Sequence, residues 1–286
     1  MLRAAQVALE DERAVEIEVE DEPEVIAPRD AADRRDEINA RLDAAITHLF
    51  ERHPHGIIGP ALEDHAAVVA ARGQSAGVDV YLLSPPVDDV AVLGAHAIAA
   101  GPPPAMRAAA LAAAVRARGT RARWTVAPGS ERALFPTRVR ASLSIAGVTP
   151  IEGAALAGQD LHLVLGAWGF EARAQIASSA SAAPLRWIFD ARWGPAGSPG
   201  VWVGVAPSES PEDRLALEVF RERTCELTGR PPTEVALLTY DAARAIATRA
   251  RGSRPRAVVA HPWRVAAEVS HDGAGSLAVT WRCPSR

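Results

Sequence analysis

The sequence lacks lysine altogether, so its 31 basic residues are all arginine, and 35 acidic residues leave a formal net charge of −4. This small net charge favours neither nucleic acid nor a membrane surface as a partner. No apolar run approaches the roughly 20 residues that a membrane span needs. The first residues, Met1-Leu2-Arg3, lead directly into a helical pattern instead of the apolar segment of a signal peptide.

Catalytic and metal-binding motifs are also missing. The sequence has no G-x-S-x-G elbow, no glycine-rich phosphate loop, no H-E-x-x-H and no C-x-x-C. His53 and His55 flank a proline and have no third convergent ligand, which favours a surface turn over a metal pair. We therefore predict that the protein is not an enzyme and has neither a cofactor nor a metal site. Two cysteines, Cys225 and Cys283, are too few for a disulfide framework. We expect unlinked thiols, with a single bridge as the alternative.

Short buried strands alternate with helices from Gly56 onward. Ile57-Ile58 is closed by Gly59-Pro60, a helical segment follows, and the apolar run 80–83 is closed by Ser84-Pro85-Pro86. This alternation is typical of a parallel sheet. Ligands of such sheets lie beyond the carboxyl ends of the strands, so we predict a pocket after both runs. With 286 residues, two lobes are favoured over one.

The rest of the chain repeats this alternation and then becomes helical. We predict an edge strand at 15–20, a long helix from Ser208 or Ser210 to Leu227, and a second helix from Thr233 to about residue 248. A last short helix is predicted at 261–269. Further strands are predicted at 123–127, 161–165, 185–189, 201–205 and 275–281. The predicted fold class is α/β, with mostly parallel sheets flanked by helices.

Two stretches carry a resemblance to a known family. The first has "IIGP" at 57–60, "AGV" at 76–78 and "LLSP" at 82–85. The second, 220–247, has a "GRPP" loop between two helices and "YDA" in the later helix. Together they resemble the type I periplasmic solute-binding proteins, which are receptors of branched-chain amino acid ABC transporters. Penicillin-binding protein activators are relatives of that family.

The resemblance covers nearly the whole chain from residue 2 and implies a two-lobed fold in the periplasm or cell envelope. One lobe would comprise residues 1–102 plus 206–265, and the other residues 103–205 plus 266–286. An ABC permease or an envelope protein would be the partner. Members of the family begin with a strand that has no counterpart here, so we expect a chain truncated at its start.

The resemblance also places pocket residues. The family has a serine three positions after "GP", where this chain has Glu63, and a threonine near the second strand end, where it has Asp88. Two carboxylates in place of hydroxyls repel an anionic ligand group. Trp168 falls where the family often has a pocket aromatic. Asp190 falls where an acid commonly meets the ligand's ammonium.

We therefore predict a ligand-binding site formed by Glu63, Ser84, Asp88, Trp168, Asp190 and Trp193. Aromatic faces and carboxylates together suit a cationic or polar ligand. In the alternative interpretation, Asp88-Asp89 is a helix cap, and both tryptophans pack between the lobes. The predicted function is capture of a small polar or amino-acid-like ligand without catalysis. The alternative function is an envelope scaffold that binds a protein partner, as penicillin-binding protein activators do.

Overall fold

The computed structural model describes residues 1–9, 16–18, 31–126, 134–151, 161–165, 176, 178–180, 186–192, 200–206, 211–229, 232–252, 264–270 and 283. In these ranges the helices are α1 (Leu2–Ala8), α2 (Ala31–Glu51), α3 (Glu63–Ala76), α4 (Pro104–Arg116), α5 (Leu134–Ile145), α6 (Pro211–Thr228) and α7 (Glu234–Ala250), with a 3₁₀ turn at Val90–Leu93. The strands are β1 (Ile57–Ile58), β2 (Val80–Leu82), β3 (Ala97–Ala99), β4 (Arg121–Val126), β5 (Thr149–Ile151), β6 (Leu161–Leu165), β7 (Trp187–Asp190), β8 (Gly200–Ala206) and β9 (Arg264–Ser270).

Two sheets form from the described strands. The first has the order β1-β2-β3, all parallel, and places β1 at an edge. The second has the order β5-β4-β6-β7-β8-β9, in which only β9 runs antiparallel to its neighbour. The predicted α/β class with mostly parallel sheets is confirmed. None of the helices within the described ranges is long and apolar enough to cross a membrane.

Local sequence explains where several helices begin and end. Pro104 occupies the first position of α4, where its missing N–H costs nothing. Thr233 caps α7, and its hydroxyl accepts from the Ala236 N–H at 3.2 Å. Gly77 ends α3 in the left-handed conformation, with φ of 67°. At Gly101 a Cβ atom would lie 2.2 Å from the Leu83 carbonyl oxygen, so only glycine allows this close approach.

The core is built in layers on both sheets. Helices α2 and α3 bury Leu42, Ile46 and Val69 against β2 of the first sheet. Helices α4 and α5 cover one face of the second sheet. Aromatic side chains of the strands themselves, including Phe189 and Trp202, cluster on the other face. A further cluster joins α1, α6 and α7, and it includes residues from the ends of β2 and β8. The strand ends of the two sheets are thereby packed around shared helices.

Two secondary-structure predictions are wrong within the described residues. Residues 16–18 form no strand, although an edge strand was predicted over 15–20. The helix predicted at 261–269 is instead strand β9, which pairs along the full length of β8 from Gly200 to Ala206. Pairing with the open edge of β8 satisfies backbone groups that the local pattern cannot register. The strand predicted at 275–281 lies outside the described residues.

The prediction of unlinked thiols is also wrong. Cys225 and Cys283 form a disulfide, with Cα atoms 5.5 Å apart across 58 positions of sequence. Cys225 is buried on α6, where its side chain is 6% exposed. The pairing depends on the path that brings residue 283 back to α6, and no local pattern reports that path.

The predicted division into lobes stays a prediction. The first sheet is formed entirely from residues 57–99, and the second from residues 121–270. Strand β9 crosses the predicted boundary between residues 265 and 266 and belongs to the second sheet along its whole length.

Candidate ligand-binding site

The loop after β2 is the first part of the predicted site. Ser84 is 2% exposed, and Pro85 and Pro86 are also buried. The carbonyl oxygen of Leu82 accepts from the N–H groups of Ala100 at 2.9 Å and of Gly101 at 3.1 Å. These bonds fix the end of β2 against the segment that follows β3. Ser84 therefore lies in a buried loop at the carboxyl ends of two parallel strands.

Asp88 joins this loop to two helices beside the second sheet. Its Oδ1 accepts from the Ala105 N–H in the first turn of α4 at 2.7 Å. Its Oδ2 accepts from the Arg138 guanidinium on α5 at 2.5 Å. Desolvation alone would raise the pKa of Asp88, but the Ala105 N–H and Arg138 together hold this pKa below its ordinary value. Asp88 thus connects the loop after β2 of the first sheet to α4 and α5, the helices that cover the second sheet.

The neighbouring acid, Asp89, is a cap. Its side chain accepts from the Ala91 N–H at 3.0 Å and begins the 3₁₀ turn Val90–Leu93. Asp88 accepts from a first-turn N–H of α4, but it lies outside that helix, whose own N-cap residue is Pro103. The interpretation as a local helix cap is therefore confirmed for Asp89.

Glu63 is the first residue of α3, after the β1 end. Glu63 is half-buried and takes part in at least one interaction within the protein. An acid in this position complements the positive end of the helix dipole. The structure therefore places Glu63 in the first turn of α3, where its charge stabilises the helix, shortly after the carboxyl end of β1. Its contact with a ligand stays a prediction.

Asp190, at the end of β7, is held by two arginines. It is fully buried, and its Oδ1 accepts from Nη1 of Arg107 at 3.1 Å. Its Oδ2 accepts from Nη2 of Arg192 at 2.9 Å and from Nε at 3.2 Å. The backbone N–H of Arg192 adds a bond to Oδ1 at 3.1 Å. Both carboxylate oxygens are therefore engaged by cationic groups of the protein itself.

Glu234 completes the buried charge network. It is fully buried at the start of α7, and its Oε1 and Oε2 both accept from the Arg107 guanidinium. Its Oε2 also accepts from the Val205 N–H at 2.9 Å. The network comprises two arginines and two acids, which we call the junction quartet: Arg107, Asp190, Arg192 and Glu234.

Burial and charge act in opposite directions on the quartet. Burial alone would raise the pKa of Asp190, but Arg192 and Arg107 outweigh it and hold this pKa below its ordinary value. Burial alone would likewise lower the pKa of Arg107, but Glu234 and Asp190 outweigh this effect and hold the pKa above its ordinary value. Asp190 and Arg107 are therefore both ionised at neutral pH.

The quartet lies where the chain passes between the two sheets. Arg107 is in the first turn of α4, just after the segment that leaves the first sheet. Glu234 begins α7 and bonds the end of β8, where the chain leaves the second sheet. Arg192 also lies over the Phe135 ring of α5, with its Cζ 4.6 Å from the ring centroid. These contacts position the carboxyl end of β7 against α4, α5 and α7.

The described geometry accounts for only part of the predicted site. Glu63, Ser84, Asp88 and Asp190 are placed at the strand ends where they were predicted. Trp168 and Trp193 lie outside the described residues. Among the residues that the structure does describe, no group of three or more His, Cys, Asp or Glu side chains could hold a metal ion.

Sequence reasoning missed the arginines that neutralise Asp88 and Asp190. A lone Arg107 in the alanine-rich face of α4 was a usable signal, because a buried arginine requires acidic partners. Arg138 and Arg192 carried no such local signal, since both fall in ordinary polar contexts. Glu234 follows the Thr233 cap and reads as a first-turn acid, which conceals its burial.

Comparison with solved structures identifies similar folds. LivJ, the branched-chain amino acid substrate-binding protein of Streptococcus pneumoniae, solved with isoleucine, aligns with a TM-score of 0.64 at 15% identity over 89% of this chain and 79% of its own. A solute-binding protein of Rhodopseudomonas palustris, solved with 3,4-dihydroxybenzoic acid, gives 0.63 at 13% over 89% and 77%. The leucine-binding protein LivK of Thermotoga maritima gives 0.59 at 15% over 88% and 78%. The chain has the fold of these substrate-binding proteins.

That fold is the two-lobed type I periplasmic-binding-protein fold implied by the "IIGP" and "LLSP" stretches, and this expectation is confirmed. No protein-family profile matches the sequence, and no curated protein matches it. At 13% to 15% identity, the likeness establishes the fold and leaves the ligand open.

Proposed function

We propose that this protein is a solute-binding protein that captures a small polar ligand between two lobes, without catalysis. Its fold is that of proteins solved with isoleucine, leucine and aromatic acids, so the scaffold is one that holds small molecules. The position of the predicted residues supports the proposal as well as the fold does, because the carboxyl ends of parallel strands are the usual location of such ligands.

The contact between Asp88 and Arg138 is the single observation that carries the proposal. Asp88 follows a strand of the first sheet, and Arg138 lies on a helix that covers the second. This ion pair spans from the loop after β2 to helix α5 at a partly exposed position, with the side chains of Arg138 31% and Asp88 44% exposed. A ligand held between these edges would contact both sheets' loops, as lobe closure requires.

The proposed lining consists of the six residues Glu63, Ser84, Asp88, Trp168, Asp190 and Trp193. Ser84 is favoured for direct contact because a hydroxyl can both donate and accept a hydrogen bond. Asp88 and Asp190 already accept hydrogen bonds from arginines. In this proposal they act chiefly by positioning Arg138 and Arg192 at the edge.

The arginine partners also widen the proposed ligand class. The sequence alone predicted that Asp88 repels an anionic ligand group. Arg138 neutralises that carboxylate, so the repulsion is weaker than the sequence indicated. We therefore include amino acids and aromatic acids, as well as cations, among the ligands to test. An ABC permease as partner and a periplasmic or envelope location belong to the same proposal.

A thermal-unfolding screen of the purified chain tests the proposal. The library contains amino acids, polyamines, small amides and benzoic acids. A ligand at 100 times its Kd adds about 2.7 kcal/mol of stability, which is readily measured as a rise in Tm. Ser84→Ala should reduce that rise, whereas Ser75→Ala, an exposed serine on α3, should leave it unchanged. A well-folded sample with no shift across the library would contradict the proposal.

A further inference from the structure

A shallow apolar groove lies on the outer surface, between the carboxyl-terminal halves of α4 and α5. Its volume is about 590 Å³, and its lining includes Ala109, Ala113, Ala117, Ser142, Ile145 and Ala146. The alanines give the groove a concave floor, since their side chains leave room above the backbone. Of the proposed ligand-binding residues, the four that the structure describes, Glu63, Ser84, Asp88 and Asp190, do not line it.

Large apolar side chains are exposed beside this floor. Ile145, on the rim, is 88% exposed, and Met106 is 41% exposed one turn before Ala109 on α4. Ile145 adds a large apolar side chain to a lining that otherwise consists mainly of alanine. The groove can therefore receive an apolar side chain that packs against Ile145.

Two exposed arginines, Arg116 and Arg118, lie at the carboxyl-terminal end of α4. Arg116 lines the groove. Arg118 donates to the Ala114 carbonyl at 3.0 Å, which holds its guanidinium along the last turn of α4. Both arginines are exposed, and neither has an acidic partner among the described residues.

We propose that this groove docks an acidic amphipathic helix of a partner protein. One apolar side chain of that helix would seat on the alanine floor beside Ile145, and its carboxylates would pair with Arg116 and Arg118. A second copy of this chain is disfavoured, because a two-fold contact would oppose the same arginines. A lipid surface is disfavoured because the groove is concave and a membrane offers no protruding side chain to fill it.

Fluorescence anisotropy with a labelled synthetic peptide tests this proposal. The probe is a helical peptide with leucine and glutamate at amphipathic spacing, and the matched control replaces glutamate by lysine. The acidic peptide should bind saturably, and its Kd should rise with salt. Ile145→Asp should weaken binding about tenfold or more, because it places a charge in the apolar contact. Arg116→Glu should weaken binding at low salt more than at high salt.

Val92→Asp serves as the control variant, because Val92 is also an exposed apolar residue, at 71%, and lies in the 3₁₀ turn after β2. It should bind the acidic peptide as the parent chain does. Circular dichroism and Tm verify that each variant is folded. Equal binding of both peptides, or no saturable binding, overturns the proposal. It is also overturned if Ile145→Asp abolishes a homodimer in sedimentation equilibrium, or abolishes binding to phosphatidylserine vesicles.

Discussion

Nη1 of Arg107 lies 3.1 Å from Oδ1 of Asp190, although 83 positions separate the two residues in the chain. This ion pair connects the first turn of α4 to the end of β7, and Glu234 extends it to α7. Charged side chains so deeply buried are stable only when each has a partner. The junction quartet is therefore a structural condition for the predicted site, because it fixes the strand end on which Asp190 and Arg192 lie.

Removing Arg107 should be strongly destabilising. Arg107→Met leaves Glu234 buried without its guanidinium partner, and the loss should be about 3–5 kcal/mol of unfolding free energy. Arg116→Met, an exposed arginine on the same helix, should change it by less than about 0.5 kcal/mol. Urea unfolding measures both values. Similar small effects for the two variants would show that the quartet contributes little.

A double variant distinguishes the loss of the Arg107–Glu234 attraction from the cost of leaving the Glu234 carboxylate buried without a partner. Arg107→Met combined with Glu234→Gln removes both charges, while the glutamine oxygen can still accept from the Val205 N–H. The double variant should be more stable than Arg107→Met alone, because an unpaired buried carboxylate costs more than a neutral amide. A double variant less stable than Arg107→Met would contradict this reasoning.

The quartet should also contribute to acid unfolding. The pKa of Asp190 is lowered in the folded protein, so its stabilisation is present above the unfolded-state pKa of about 3.9. It is lost progressively as pH falls from that value through the folded-state pKa. Asp190→Asn should therefore be less stable than the parent chain near pH 7, with a smaller loss of stability between about pH 5 and pH 2. Parallel pH profiles for the two proteins would contradict the lowered pKa.

The disulfide should stabilise the junction of α6 with the carboxyl-terminal region. Its two cysteines are 58 positions apart, and a loop of that size corresponds to about 4 kcal/mol of stabilisation in the chain-entropy treatment. Urea unfolding with and without reductant should differ by an amount of that order. A Cys225→Ser/Cys283→Ser variant should show no such dependence on reductant. Quantitative alkylation of both thiols in the native, unreduced protein would contradict the bridge.

Asp88 should stabilise the protein chiefly as a cap. Asp88→Ala removes the acceptor for the Ala105 N–H and should cost about 1 kcal/mol. The exposed ion pair with Arg138 should add little, between about 0 and 1 kcal/mol, and its part should shrink with salt. Arg138→Met, measured in parallel, isolates the ion pair. Because Asp88→Ala removes both interactions, an equal loss in Arg138→Met and Asp88→Ala would show that the ion pair, and not the cap, is the main contribution.

The sequence predicted those features whose cause is local. The apolar run of β6 at Leu161–Leu165 was predicted at the bounds observed, because a strand buried on both faces needs no periodicity to be recognised. Thr233 was correctly predicted to start α7, because a cap is read from one side chain and its neighbours. The strand ends that carry the predicted site were found for the same reason.

Features that depend on tertiary contacts were missed. Strand β9 forms because β8 offers it an edge, and the Cys225–Cys283 bridge forms because the chain returns to α6. The partners of Asp190 were missed for a similar reason. Arg107 and Glu234 are 127 positions apart, and their meeting depends on how the chain passes between the sheets. The acid was predicted at the right strand end, but the cations that hold it were not.

Hydrogen–deuterium exchange, measured on the protein with and without a ligand from the thermal screen, tests the central claim most directly. A ligand held between the lobes should protect peptides covering residues 83–89, after β2, and residues 186–192, at the end of β7. Protection should be lost in Ser84→Ala and kept in Ser75→Ala. Protection confined to one sheet's loops, or to a region away from both strand ends, would contradict capture of a ligand between the two lobes.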